Sequence, residues 1–176
     1  MDEPIGKAVG NWLEIVESLD TLHGKGPEDL EELVVVQSAQ MLVQAGVVSC
    51  RAEGVAKCKA ALRDGSAFAK FREMVDGQHG DLAMIDTYSD DAWHKAATVV
   101  PVAAPAAGVV TAIDALTVGK AGVLLGAGRQ RIEDGVDFAA GVLLIVYTCR
   151  RLTDLSLIMD AMYHRCASGR EGRTGR

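Results

Sequence analysis

The residues of this chain that could do chemistry are a Gly-Ala-Gly turn at 126–128, four histidines and four cysteines. Glycines in such a turn let backbone amides approach an anion closely, so Leu125-Gly126-Ala127-Gly128-Arg129 has the form of a phosphate-cradling loop. A dinucleotide loop also needs a third glycine where its helix packs on a strand, and an acidic residue about 20 positions later. Arg131 stands at that third position and no strand–helix unit follows, so a structural turn in a glycine-punctuated unit is the better reading. His23, His79, His94 and His164 have no serine, cysteine or acidic partner at a spacing that suggests a triad or a metal cluster. Cys50, Cys58, Cys149 and Cys166 show neither a CxxC nor zinc spacing, and reduced cytoplasmic thiols are the expectation.

Composition narrows the classes further. The chain of 176 residues has room for one ordinary domain or for pieces of two. Hydrophobic residues make up 49% and charged residues 24%, as in globular proteins generally. A net charge of −6, with no basic run before the last residues, argues against nucleic acid as a partner. The apolar run near Val99–Val110 contains two prolines and is too short to span a bilayer, so no membrane partner is expected. Met1 leads straight into Asp2-Glu3-Pro4, so no secretory leader is expected.

The elements that must hold these residues are helices first and strands later. Pro4 and Gly6 forbid a regular helix before Lys7. From there Val9, Trp12, Leu13, Val16 and Leu19 recur at helical spacing, and Gly24 and Gly26 end the helix. Pro27 and the acids after it open a second helix, apolar nearly all round from Leu33 to Val43, which predicts deep burial. A third covers roughly 52–62, and Ser66 is expected to cap a fourth with Phe68, Phe71 and Val75 as its stripe. Residues 78–97 read as a linker or long loop. Two short strands follow from residue 98, with Pro101 and Pro105 at edges or a turn; a short helix is predicted over Leu116–Leu125 and a strand over Val136–Tyr147.

Three linked segments in this order, GVVTAIDA (108–115), LGAGR (125–129) and RIEDGVDFAAGV (131–142), resemble the C-terminal domain of thymidine and pyrimidine-nucleoside phosphorylases. MDEPIGKAVGNWLEI at the start is similar to a motif of the same family that lies inside its large α/β domain. The resemblance implies an α+β chain: 1–77 as the C-terminal helices of the α/β domain, 78–97 as a linker, and 98–144 as a truncated, barrel-sandwich-like C-terminal domain. It implies a glycosyltransferase that catalyses reversible phosphorolysis, with a pyrimidine nucleoside and phosphate as its partners. Such enzymes work as cytoplasmic homodimers, whose dimer contacts are expected to be missing here. The family's phosphate loop and base-binding residues lie N-terminal to the matched motifs, so no catalytic residue and no organic cofactor site carries over, and the chain alone is expected to be inactive. A non-catalytic truncated product, or a domain that modulates a full-length copy, is the alternative.

One family site does reach these residues. Some members bind a structural potassium ion through backbone oxygens and a glutamate, which fall on Ile5, Ala8 and Glu17. Hard cations take carbonyl and carboxylate oxygens, and the placement requires a loop that folds back over the helix. An exposed helix acid is the competing reading of Glu17.

The resemblance stops at about Ile145. Residues 145–176 hold six arginines, no lysine and three acids, and end in Gly-Arg repeats. They read as a shifted frame or, less favoured, an alternative end whose Leu152, Leu155, Met159 and Met162 line a helix face. This tail is expected to be disordered and to leave the β-domain unclosed.

Overall fold

The computed structural model describes residues 3–89, 94–104, 108–145, 151–152 and 159–163, and gives a mixed helix-and-sheet, α+β architecture. The chain opens with a short strand, β1 (Ala8–Val9), and only then enters helix α1 (Asn11–Leu22). Gly10 sets that boundary. Its φ of 148° and ψ of 158° are far from helix and rarely open to a residue with a Cβ. Val9, expected on the apolar stripe of the helix, therefore belongs to the strand, while Leu19 is fully buried as the stripe requires.

Helix α2 (Glu28–Gln44) starts after Pro27 with Glu28, Asp29 and Glu31 in its first turn, where the positive end of the helix dipole favours acids. Helix α3 (Arg51–Asp64) lies against it. Gly54 makes the approach possible, because a Cβ there would stand 2.9 Å from the Ala39 carbonyl oxygen; Ala39 and Val35 are accordingly buried. Burial of α2 is nonetheless one-sided, and Leu33, Val34 and Met41 remain exposed against expectation. Helix α4 (Ser66–Gly77) follows Gly65, whose φ of 78° is left-handed. Ser66 is the first helical residue and not the cap; its N–H donates to Asp64 Oδ1 at 2.9 Å.

The polar stretch after α4 contains a further short helix, α5 (Leu82–Asp86), capped by Asp81 through the Ala83 amide. Ile85 is buried, and Arg72 grips Asp86 with two bonds of 2.8 Å. Tyr88 donates to Asp20 Oδ1 at 2.9 Å. Burial, and then the Asp20 carboxylate, push its hydroxyl up to about 12. Between Phe68 and Tyr88 lies the His23 ring, 4.2 Å and 5.7 Å away by centroid. This cluster joins the C-terminal end of α1 to α4 and to the stretch after α5.

The second half supplies β2 (Thr98–Val102), β3 (Gly108–Val109), helix α6 (Ala115–Leu125) and β4 (Gly141–Leu144). Asp114 caps α6 by accepting the Thr117 amide at 2.6 Å. Of the strand predicted over Val136–Tyr147, the described residues form only β4, because the Ala139 amide turns back to Asp137 Oδ1 at 2.9 Å; residues 146 and 147 lie outside the described residues. Ala140, Val142 and Leu144 are buried and form the sheet side of the core.

The expected disorder of the tail is corrected at two places. Arg151–Leu152 forms β5, paired with β3, and Met159–Tyr163 forms β6. The main sheet runs β1-β4-β6-β2, antiparallel throughout, with Val142 opposite Ala161 and Val100 opposite Ala161 on the other side. Strand β6 thus fills the gap between β4 and β2, and Met159 and Met162 lie on a strand and not on a helix. The physical reason is that ladder pairing satisfies main-chain N–H and C=O groups and asks little of side-chain identity. A tail without family-like sequence can complete a sheet if it is extended over a handful of residues. Leu155 lies outside the described residues.

Candidate functional site

Three acids strap the segment before α1 to the helices. The amide of Gly6 donates to Asp29 Oδ2 at 3.0 Å, those of Lys7 and Ala8 to Glu17 Oε1 at 2.7 Å and 3.2 Å, and that of Gly10 to Glu14 Oε1 at 2.9 Å. The loop that must fold back over α1 for Glu17 to meet Ile5 and Ala8 is therefore present. Ile5, Ala8 and Glu17 line one cavity of about 270 Å³, together with Glu14, Ser18 and Val118 of α6. Gly6 has a φ of +67°, and the Glu17 carboxylate occupies the space a Cβ there would need. Glycine is required at this position twice over, for the backbone conformation and for the carboxylate.

Glu17 is half-buried, which rules out a freely solvated helix acid. Its carboxyl is held above the ordinary glutamate value, first by burial; the Lys7 and Ala8 amides pull it down, and the negative charges of Asp29 and Glu14 push it up again. The corner thus holds an anion that is short of water and crowded by like charge. An oxygen-loving cation takes carboxylate and carbonyl oxygens, and this corner holds the carboxylates of Glu17 and Glu14 beside the main chain of Ile5 and Ala8. Asp29 and Glu14 were not legible as parts of it. In sequence they read as first-turn and polar-face acids, and only the fold-back of residues 4–10 brings them in.

A raised carboxyl has a definite consequence for stability. Because the folded state holds the proton more tightly than the unfolded chain, stability falls as pH rises from the ordinary glutamate value through the folded one, and the full cost is present at neutral pH. Glu17→Gln keeps a carbonyl oxygen for the Lys7 and Ala8 amides and removes the charge. Melting temperatures from pH 4 to 8 are expected to show a flatter profile for the variant over that window, with the variant at least as stable as the parent at pH 7. A variant profile that keeps the parent's slope would show that Glu17 is not the titrating group.

The glycine turn is structural. Gly126, with a φ of 107°, ends α6 in the left-handed conformation, and Ala127 N–H closes on the Gly122 carbonyl at 3.0 Å. Asn11 Nδ2 donates to the Ala127 carbonyl at 2.6 Å, and Trp12 N–H to the Phe138 carbonyl at 3.2 Å. The turn is the clamp that holds the start of α1 to the sheet. Among the described residues no helix begins after it, so it lacks the N-terminal amides of a phosphate loop. His94 lies between Trp12 and Phe138, at 5.4 Å and 5.5 Å. Cys50 and Cys58 are free thiols; Cys149, Cys166 and His164 lie outside the described residues. Among the described residues no three His, Cys, Asp or Glu side chains gather as a metal-binding group, and no helix is long and apolar enough to cross a membrane.

The class so defined is an α+β protein in which a helical layer is clamped to a small antiparallel sheet, with an acid-lined corner where the N-terminal segment folds back. Residues 109–151 match the family model described as the pyrimidine nucleoside phosphorylase C-terminal domain, which carries the match past the break expected at Ile145. Over 144 residues, 82% of this chain, the sequence is 42% identical to the pyrimidine-nucleoside phosphorylase of Bacillus subtilis (strain 168). The same span gives 39% with that of Staphylococcus haemolyticus (strain JCSC1435) and 38% with that of Staphylococcus aureus (strain USA300). The chain belongs to the pyrimidine-nucleoside phosphorylase family. It spans about a third of the length of these curated relatives, 33% in each case.

Proposed function

We propose that this chain supplies the C-terminal part of a pyrimidine-nucleoside phosphorylase acting on thymidine or a related nucleoside. The observation that carries this reading is the 42% identity across 82% of the chain to a protein of that name. In the reaction, a phosphate oxygen forms a bond to C1 of the (deoxy)ribose while the bond from C1 to the base nitrogen breaks. The base leaves with that electron pair and takes up a proton, giving free base and (deoxy)ribose 1-phosphate. Catalysis of this kind rests on positioned donors and cations around phosphate and base. These residues contain no Lys-x-Gly-Gly and no Gly/Ser-rich loop, and the Gly-Ala-Gly turn at 126–128 is used to end a helix. The chain is therefore the scaffold of the reaction, and its own contribution is to hold the fold-back corner and the sheet against the helices. Its setting is cytoplasmic, and the working form is a homodimer whose contacts lie outside the matched third. Purified chain incubated with thymidine or uridine and phosphate is expected to release no base.

The same reading makes Ile5 and Ala8, through main-chain oxygens, and Glu17, through its carboxylate, part of a potassium shell. The ion would offset the crowded charge of Glu17, Glu14 and Asp29 and fix the fold-back of residues 4–10. Three protein oxygens replace little of a potassium ion's hydration, so the isolated chain is expected to melt at the same temperature in potassium and in tetramethylammonium chloride at equal ionic strength. A potassium-specific rise, abolished by Glu17→Gln, would mean that the shell is complete within these residues.

A further inference from the structure

Helix α2 has an apolar, uncharged face that nothing described in this chain covers. Its buried side, with Val35 and Ala39, faces α3. The other side presents Leu33, Val34, Gln37, Gln40, Met41 and Gln44, all exposed. These positions recur at the spacing that places residues on one helix surface. Leu33 is 39% exposed, Val34 40% and Met41 66%. No charged residue occurs between Glu32 and Arg51. A helix that faces water normally carries charge on its outer surface, and one that is apolar on both sides is an interior helix. The exposed face of α4 behaves in the ordinary way, with Lys70, Glu73 and Asp76 on it.

We infer that this face of α2 is a docking surface, and that its occupant is the phosphorylase polypeptide outside the matched third. The inference rests on the proposed function for the identity of the partner, and on the geometry of α2 for the place. The relatives carry about twice as much further chain as is matched here, since the match covers 33% of their length. A helix uncharged on both sides from Leu33 to Gln44 needs a second packed layer, and that further polypeptide of the relatives is the source of one. Leu33, Val34 and Met41 supply the apolar contact, and the three glutamines offer side-chain amides to main-chain groups of a folded partner. A second copy of this chain is the rival occupant.

The test is reassembly. The Bacillus subtilis relative is first divided at the boundary of the match, at a split point chosen so that its own two pieces reassemble when produced together. The 176-residue chain then replaces the smaller piece, and the complex is exposed to dilute hydrogen peroxide with oxidation read by peptide mass spectrometry. In the complex Met41 is expected to oxidise about tenfold more slowly than in the chain alone, since susceptibility follows exposure. Met74 on α4, 48% exposed, is expected to keep its rate. Leu33→Lys with Met41→Lys is expected to prevent co-purification and to leave the melting temperature of the chain alone unchanged.

Three results would overturn the inference: no complex with a split that works for the relative itself, a complex in which Met41 stays as reactive as in the chain alone, or protection of Met41 that grows with the concentration of the chain by itself. The last would assign the face to a second copy. A double variant that melts well below the parent would also overturn it, by showing that the face is used within the chain. Base release by the complex is scored separately. Protection of Met41 without turnover leaves the docking surface and removes the phosphorolysis reading; turnover without protection does the reverse.

Discussion

Gly141→Ala is expected to cost about 3 kcal/mol or more, among the largest losses any single substitution here would produce. A Cβ on Gly141 would stand 2.5 Å from the Val9 carbonyl oxygen, 2.7 Å from Leu13 Cδ1 and 3.2 Å from Gly10 Cα. Two of these atoms are main chain and cannot rotate away. They belong to the one place where α1, β1 and β4 meet, with Val9 opposite Val142 in the ladder. Relief would require β1 to part from β4, which would take the Leu144 amide off the Lys7 carbonyl and loosen the fold-back that holds Glu17. Gly119→Ala is the control. Its site lies inside α6 with open space around it, so the substitution is expected to gain up to about 1 kcal/mol from helix propensity alone. Thermal or denaturant melts of the two variants should move in opposite directions; equal, small shifts would mean that the close approach at Gly141 is not present.

Removal of residues 145–176 should have the second large effect, and an uneven one. Strand β6 lies between β4 and β2, so its loss leaves β4 with β1 on one edge only, and leaves β2 without the strand it pairs with. Amide exchange at Val99, Val100 and Val102 is expected to approach that of an open chain. Protection across Gly141–Leu144 is expected to fall about tenfold, the equivalent of about 1.4 kcal/mol in opening free energy. The valines of β2 are 42–51% exposed even with β6 in place, and an unpaired apolar edge invites association, so the shortened chain should also be less soluble. Unchanged exchange in β2 after truncation would restore the reading of the tail as an unstructured appendage.

The contrast between these two regions shows what was legible in the sequence. The helices were, because their signals are local: Pro27 with its acids, the glycines at 24, 26, 46 and 65, and apolar stripes at helical spacing. So was α6, in spite of Gly119 and Gly122. The start of α1 falls a few residues later than its local signals, since nothing local distinguishes Val9 on a helix from Val9 on a two-residue strand that forms only when β4 arrives from far along the chain. Burial of α2 was overestimated within this chain because an apolar pattern reports a need for a partner and not the partner's presence. The tail departs from its sequence signal for the opposite reason. Sheet completion by β6 draws on main-chain hydrogen bonding, which leaves no composition signature. Of the candidate corner, Ile5, Ala8 and Glu17 were placed by resemblance and are brought together by the fold, whereas Asp29 and Glu14 became visible only through the amides they hold.

The central claim is that these residues form the scaffold of a pyrimidine-nucleoside phosphorylase and hold none of its phosphate- or base-binding groups. Release of thymine or uracil, followed with thymidine or uridine and phosphate, tests it most directly. The chain alone is expected to give no release above background, and the same chain reassembled with the larger piece of the Bacillus subtilis relative is expected to give phosphate-dependent release. Turnover that co-purifies with the 176-residue chain by itself would contradict the account.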